Sequence, residues 1–289
     1  MNLKCICCGK EDIRLFTIKN NYKIFKCNAC GLGFVYPIPA DTATVYSEDY
    51  FSGARNGFGY VDYENDKAAM KSVFQRFLAL IQLYAPQKGS LLDIGTASGY
   101  FLELARHNGW EASGLEISEY AAEIAQKKGL RVKNGTLLTS NLEKNSFDAI
   151  TLWDVFEHFQ DPVENIKIIA ESLRPEGIIA INSPDFNSLF ARIMGKNWHS
   201  LIPPEHIYYF NPANTKKLLE KYGFKIILST KIKKIFTIQY IIQFMANWLK
   251  IKYLNKIAHK IHNFKFAQLA IPLDLKDNFF IIAKKKGGN

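Results

Sequence analysis

Residues 91–99 read Leu-Leu-Asp-Ile-Gly-Thr-Ala-Ser-Gly, and the chain continues as Tyr100-Phe101-Leu102-Glu103-Leu104-Ala105. An apolar run that stops at a glycine turn and passes into helical spacing predicts strand, tight loop, helix. Glycines there allow close backbone approach to a ligand, and a helix start offers unpaired N–H groups. Spacing separates the nucleotide-like ligands that use such a corner. A dinucleotide fingerprint requires G-x-G-x-x-G; counted from Gly95, its third and sixth places hold Ala97 and Tyr100. What remains is Asp93, two residues before G-x-x-x-G.

Downstream, Glu111 to Ile117 reads as a short second strand ending at Glu116, twenty-one residues after Gly95. An acid at that strand end is placed to accept bonds from ribose hydroxyls. Ser118 then caps a helix whose apolar face is Ala121, Ala122, Ile124 and Ala125. The plain alternative is a glycine turn in an ordinary α/β protein with Glu116 merely exposed. The agreement of spacing and strand context weighs against it.

On Asp93, Gly95, Gly99 and Glu116 the chain resembles the class I S-adenosylmethionine (SAM) methyltransferases. The resemblance implies an α/β fold with a Rossmann-like seven-stranded sheet whose last strand runs antiparallel. It implies SAM held by Asp93, Gly95, Thr96, Ala97, Gly99, Glu116 and Trp153. Most members carry a third glycine where Ala97 stands, so a slightly tighter loop is expected.

Cys5-Ile6-Cys7-Cys8-Gly9 and Cys27-Asn28-Ala29-Cys30-Gly31 form C-x2-C, eighteen residues, C-x2-C. Each pair can turn two thiolates toward one tetrahedral ion. Cys5, Cys8, Cys27 and Cys30 are the expected zinc ligands, with Cys7 a bystander. Four protein ligands close such a site, so its role is structural. All five cysteines fall in the first thirty residues, a metal pattern more than a disulfide framework.

The net charge of +10 invites a nucleic-acid reading until it is located. Between Lys231 and Lys265 there are eight lysines and no Asp or Glu. That segment lacks Arg, the better match to phosphate and base recognition, and this disfavours a nucleic-acid partner. Within it, Phe236 to Leu249 is apolar except for Thr237, Gln239, Gln243 and Asn247, so as a helix it carries one narrow polar stripe. Two readings stand: a helix lying on an anionic membrane surface, or one packed on its own domain or across a homodimer. No apolar run approaches the roughly 20 residues a spanning helix needs. The start is polar as far as Cys5, so no leader is read and a cytoplasmic location is expected, at the inner membrane surface if the insertion binds lipid.

The expected organisation is a zinc-binding ribbon over 1–40, a helical lid over 41–86 and a SAM-binding core over 87–230. A basic amphipathic helical insertion follows over 231–272, then the last strand and tail over 273–289. Tyr36-Pro37-Ile38-Pro39, stiff and extended, is the linker to the lid, where an aromatic, glycine-dotted stretch runs through Tyr46, Tyr50, Phe51 and Tyr60, then a helix from Ala68 to Tyr84. Core strands are expected over 131–135, 147–153, 178–182, 224–229 and 278–284, and a helix over 214–222. Zinc knuckles, Pro-x-Pro and paired tyrosines before such a core resemble bacterial methyltransferases of surface-polysaccharide and secondary-metabolite clusters. A small acceptor follows from that likeness, sugar-derived, nucleotide-linked or lipid-linked, with O-methylation favoured over C-methylation.

Methyl transfer is in-line displacement, so positioning dominates and a hydroxyl acceptor also benefits from a base. Two histidines qualify. His206 lies in Pro203-Pro204-Glu205-His206-Ile207-Tyr208-Tyr209-Phe210, and His158 closes Asp154-Val155-Phe156-Glu157-His158 just past the fourth strand. The latter stretch resembles the Glu-x-x-Glu-His of quinone-biosynthesis O-methyltransferases, which implies a divalent ion at Asp154, Glu157 and His158. Two further classes remain: an RNA-modifying methyltransferase, which zinc knuckles and basic charge would fit, and a non-catalytic SAM-binding module.

Overall fold

The computed structural model describes residues 3–40, 71–231, 234–238, 241–242, 245, 269–273 and 275–287. The aromatic stretch through Tyr46, Tyr50, Phe51 and Tyr60, the helix start at Ala68, and most of Phe236 to Leu249 lie outside these residues.

Seven strands form the central sheet: β4 (Ser90–Ile94), β5 (Glu111–Glu116), β6 (Arg131–Asn134), β7 (Phe147–Trp153), β8 (Leu173–Pro184), β10 (Phe224–Thr230) and β13 (Asn278–Lys285). Their order is β10-β13-β8-β7-β4-β5-β6. β4 pairs in parallel with both β5 and β7, and β13 runs antiparallel to both β8 and β10. The Rossmann-like sheet with an antiparallel last strand is therefore present. From β4 the chain winds outward through β5 and β6, then returns to the other side at β7. Open sheets bind ligands at that switch, outside the carboxyl ends of the strands.

Both faces of the sheet are covered, which suits strands that are apolar throughout. Alternate residues divide between two clusters. Leu92, Ile94, Ile150, Leu152, Ile179, Ile181 and Phe279 face α4 (Pro162–Ser172) and the N-terminal sheet. Leu91, Ala149, Trp153, Ile178, Ala180 and Phe280 face α1 (Lys71–Tyr84) and α2 (Tyr100–His107). The helical spacing of Val73, Phe77, Leu80, Ile81 and Tyr84 predicts the inner face of α1; Val73, Phe77 and Ile81 are buried there with Phe74 and Leu78, while Leu80 and Tyr84 are partly buried.

Several boundaries differ from expectation. β8 begins at Leu173, because Leu173 pairs with Phe147 and Ile178 with Ala149. Arg174 to Gly177 is thus an excursion within the strand, and Arg174 forms an ion pair with Asp148. α6 (Pro212–Lys221) starts earlier than Asn214, because Asn211 caps it by accepting the Asn214 N–H while the Asn214 side chain takes the Asn211 N–H. Lys234–Thr237 (β11) pairs antiparallel with Ala270–Leu273 (β12), so Phe236 and Thr237 are strand, not helix.

At the N-terminus β1 (Ile13–Lys19), β2 (Tyr22–Cys27) and β3 (Gly33–Val35) make an antiparallel sheet that gains a fourth strand, β9 (Tyr208–Tyr209). Phe34 pairs with Tyr208, joining the cysteine-bearing sheet to the loop that carries His206. Its apolar residues belong to the same cluster as the central sheet.

One glycine decides the first corner. Gly99 caps α2 with φ 86°, and a Cβ there would lie 2.1 Å from Leu130 Cδ1. Gly99→Ala adds left-handed strain to displacement of a buried leucine. It should cost about 2–4 kcal/mol, read as a shift in urea midpoint at constant slope. An unchanged midpoint would contradict this placement.

Candidate active site

The loop between β4 and α2 holds three left-handed residues, Gly95 (φ 68°), Ala97 (φ 49°) and Gly99 (φ 86°). Ala97 is the costly one, since a Cβ disfavours this region by roughly 1–2 kcal/mol. Its conformation is held by Glu116 at the end of β5. The Ala97 N–H donates to Glu116 Oε2 at 2.7 Å, and the Ser118 N–H donates to Oε1 at 2.8 Å. Glu116 is buried, which pushes its pKa up, while the N–H bonds from Ser118 and Ala97 oppose that shift. Each carboxylate oxygen keeps a second lone pair for another donor.

Asp93 is buried at the end of β4 and accepts the Thr151 hydroxyl of β7 at 2.6 Å. This ties the two strands at the switch point. Gly95 serves close packing, because a Cβ there would stand 2.4 Å from Val155 Cγ2. Thr96 Oγ1 and Ser98 Oγ are buried in the same loop with no hydrogen-bond partner among the described residues. Buried hydroxyls without partners are costly, and here they border the loop expected to hold a polar ligand. Trp153 lies on the α1 side, stacked on Phe77 at 4.6 Å, with its Nε1 buried and likewise without a partner.

Across the sheet edge a second group converges. Glu157 and His158 form a short 3-10 turn after β7, and His206 arrives on the loop before β9. The rings of His158 and His206 are 4.7 Å apart and nearly perpendicular. Glu157 Oε1 lies 3.9 Å from His206 Nε2 and 4.0 Å from His158 Nε2. Its other oxygen accepts the Ser183 hydroxyl at 2.8 Å, and its carbonyl accepts the Ile207 N–H at 2.9 Å. Burial pushes His158 down to about 4, so it is neutral at neutral pH. His206 Nδ1 is 2.8 Å from the Ser200 carbonyl. A carbonyl only accepts, so Nδ1 carries the proton and the Nε2 lone pair faces the cluster.

Asp154 stands beside His158, where its charge opposes the effect of burial on that histidine, and it is tied to Asn182. Its Oδ1 accepts from Asn182 Nδ2 at 2.8 Å and its N–H donates to the Asn182 carbonyl at 2.9 Å. The group whose donor atoms all lie within 4.8 Å of one another is Glu157, His158 and His206, not Asp154, Glu157 and His158. Sequence reading missed Glu157 as the meeting point, Ser183 as its donor, and Asp277. The last accepts the Trp198 indole N–H at 3.0 Å and lies 3.4 Å from His199 Nε2, holding the loop that leads to His206. Asp277 carries no motif that would have singled it out.

The cysteines gather as the spacing predicts. Cys5 and Cys30 Sγ are 3.4 Å apart, Cys8 and Cys27 Sγ 3.6 Å, and all four lie within 4.8 Å of one another. Gly9 N–H bonds the Cys5 carbonyl at 2.8 Å and Gly31 N–H the Cys27 carbonyl at 2.9 Å, closing two matching knuckles. A zinc tetrahedron with 2.3 Å bonds has sulfur edges of about 3.8 Å, so the four thiols fit that ion. Cys7 is buried beside the group and is not part of it.

A family profile described as a methyltransferase domain matches residues 64–229. The ubiquinone biosynthesis O-methyltransferase of Vibrio campbellii is 25% identical over 146 residues, 45% of this chain and 61% of that protein. That of Nitrosospira multiformis is 22% identical over 149 residues, 47% of this chain and 62% of its own. The chain thus spans about three-fifths of the length of these relatives. Among solved structures, a SAM-dependent methyltransferase from Archaeoglobus fulgidus aligns with TM-score 0.51 and 22% identity, covering 85% of this chain and 100% of that one. The cyclase SpnF aligns with TM-score 0.52 and 19% identity, covering 74% and 81%. Both likenesses are of fold. Since one of them is a cyclase, the reaction must be argued from the site.

Proposed function

The chain belongs to the methyltransferase domain family, and we propose that it transfers the methyl group of SAM to a small acceptor, sugar-derived or a secondary metabolite. The observation that carries this is the β4–α2 loop at the topological switch, with Glu116 bonded to Ala97 N–H and two buried hydroxyls beside it. When bound, SAM supplies an electrophilic methyl group. Asp93, Gly95, Thr96, Ala97, Gly99 and Glu116 would hold it, with Trp153 forming the wall toward α1.

His206 would take the acceptor's proton at Nε2, the nitrogen opposite the one bonded to Ser200. The charge so gained would be stabilised by Glu157, whose Oε1 is 3.9 Å away. His158, neutral and in ring contact, would fix the orientation of His206. The four cysteines would bind one structural zinc.

Glu116→Ala should weaken SAM affinity roughly ten- to a hundredfold, the loss of one buried charge-assisted bond, with the fold retained; unchanged affinity by calorimetry would remove Glu116 from the site. The acceptor class is tested by transfer of labelled methyl to nucleotide-sugars, lipid-linked sugars and tRNA. Label on tRNA with a steep salt dependence would mark the RNA-modifying alternative. No transfer to any acceptor despite SAM binding would favour a non-catalytic module.

One observation favours a second reading of the same cluster. A metal-ligating histidine commonly gives its other ring N–H to a backbone carbonyl, as His206 gives Nδ1–H to Ser200. Glu157, His158 and His206 would then hold a divalent cation that orients the acceptor. Turnover that requires added magnesium or manganese marks this reading, and turnover indifferent to both marks His206 as the base. Among the described residues no helix is long and apolar enough to cross a membrane. A cytoplasmic enzyme with peripheral membrane contact or a homodimer through the lysine-rich insertion stays a proposal.

A further inference from the structure

His206 lies on the loop between α5 (Leu189–Met194) and β9, and the N-terminal sheet fastens that loop at several points. Pro203 and Pro204 bring it no backbone N–H, and here the chain is held through its carbonyls. Asn20 Nδ2 donates to the Pro203 carbonyl at 2.9 Å, and Lys19 Nζ stands 3.5 Å from the Trp198 carbonyl. Both donors sit at the tip of the β1–β2 hairpin, where Lys19 pairs with Tyr22. These two adjacent residues therefore bracket the stretch 198–203.

Inside the bracket lies Ser200, whose carbonyl accepts His206 Nδ1–H at 2.8 Å and the Ile202 N–H at 3.1 Å. The His206 N–H in turn donates to the Ile202 carbonyl at 3.3 Å. Ring and backbone of His206 thus both refer to a short stretch whose ends are held from the hairpin. The same sheet holds the other side of His206: Val35 N–H donates to the Ile207 carbonyl at 2.8 Å, and Ile207 N–H to the Glu157 carbonyl at 2.9 Å. The hairpin itself does not require the Asn20 amide. Asn20 and Asn21 are left-handed, with φ 49° and 65°, as in a two-residue hairpin turn that glycine fills equally well. An asparagine in a turn commonly bonds backbone two residues on, whereas Asn20 reaches a residue 183 positions away.

We infer that Asn20 is a positioning residue for His206: its amide fixes the Pro203 end of the bracket and, through it, the Ser200 carbonyl that sets the tautomer and direction of the ring. Lys19 holds the Trp198 end. A net hydrogen bond shifts an equilibrium about two- to tenfold, enough to decide which ring nitrogen carries the proton. The bracket stands on its own bonds; its bearing on turnover rests on the methyl-transfer reading.

The test is nitrogen NMR of the full chain with isotope-labelled histidine at mildly alkaline pH, the His206 signals being assigned by their loss in His206→Gln. Wild type should show His206 as the Nδ1–H tautomer. Asn20→Gly keeps the turn, and Asn20→Asp keeps the size but turns an acceptor toward the Pro203 carbonyl. Both should show the two tautomers mixed, the aspartate variant more so, while Asn21→Gly, in the same turn, should match wild type. In labelled-methyl transfer the Asn20 variants should turn over about two- to tenfold more slowly, with S-adenosylhomocysteine affinity and bound metal per chain unchanged. A merely structural role would move those two quantities and leave no tautomer signature. An unmixed Nδ1–H tautomer in both Asn20 variants, equal mixing in Asn21→Gly, or loss of metal from both Asn20 variants overturns the inference. Tautomer mixing in the Asn20 variants of a chain that transfers no methyl group to any acceptor removes the methyl-transfer reading and leaves the bracket.

Discussion

His206→Ala should lower turnover about 10²–10⁴-fold while leaving SAM affinity at the wild-type value. The separation is expected because His206 sits with Glu157 and His158 beyond β7, whereas the cofactor loop is tied to Glu116 beyond β5. Steady-state kinetics on the identified acceptor, paired with calorimetry, reads both quantities. Near-normal turnover would exclude His206 as the base and move attention to His158. A parallel fall in SAM affinity would mean that the loop from Trp198 to His206 had collapsed. The His206→Gln variant keeps a donor toward the Ser200 carbonyl, and its failure to restore turnover would tie the loss to proton transfer instead of loop order.

Removal of the zinc expected at Cys5, Cys8, Cys27 and Cys30 should have the largest effect on stability. Structural zinc sites contribute on the order of 10 kcal/mol in small peptide systems, and four thiols within 4.8 Å cannot all ionise without a cation between them. Chelation should unfold β1 to β3. Since Phe34 pairs with Tyr208, it should also release the strand that follows His206, so activity should fall with the metal. Elemental analysis of protein purified without chelator should give one zinc per chain, and Cys7→Ser should leave that ratio unchanged. Metal-free protein that keeps its full stability and activity would contradict the expectation.

The parts of this fold that sequence made legible are those whose signal is local. Leu91 to Gly99 announces a strand and a tight turn because apolar residues stop at glycine, and Glu116 follows at strand-end spacing. The cysteine knuckles are equally local, each pair separated by two residues. The parts that were not legible depend on contacts between distant segments. His158 and His206 were each recognisable as candidates, but nothing in the chain indicates that Glu157 lies within 4 Å of both. β9 is two residues long, too short for an alternating pattern, so its addition to the N-terminal sheet was invisible. The early start of β8 was hidden by Pro175 and Gly177, which read as a helix stop while Leu173 had already paired with Phe147. Ala97 shows the opposite case: the sequence itself displays alanine at a glycine position, and the structure adds that this alanine adopts the left-handed conformation a glycine would.

The most direct measurement is calorimetric titration of the zinc-loaded wild-type chain with S-adenosylhomocysteine. The account predicts saturable binding at one site per chain, competed by SAM. A folded, metal-loaded protein that takes up neither ligand would contradict it.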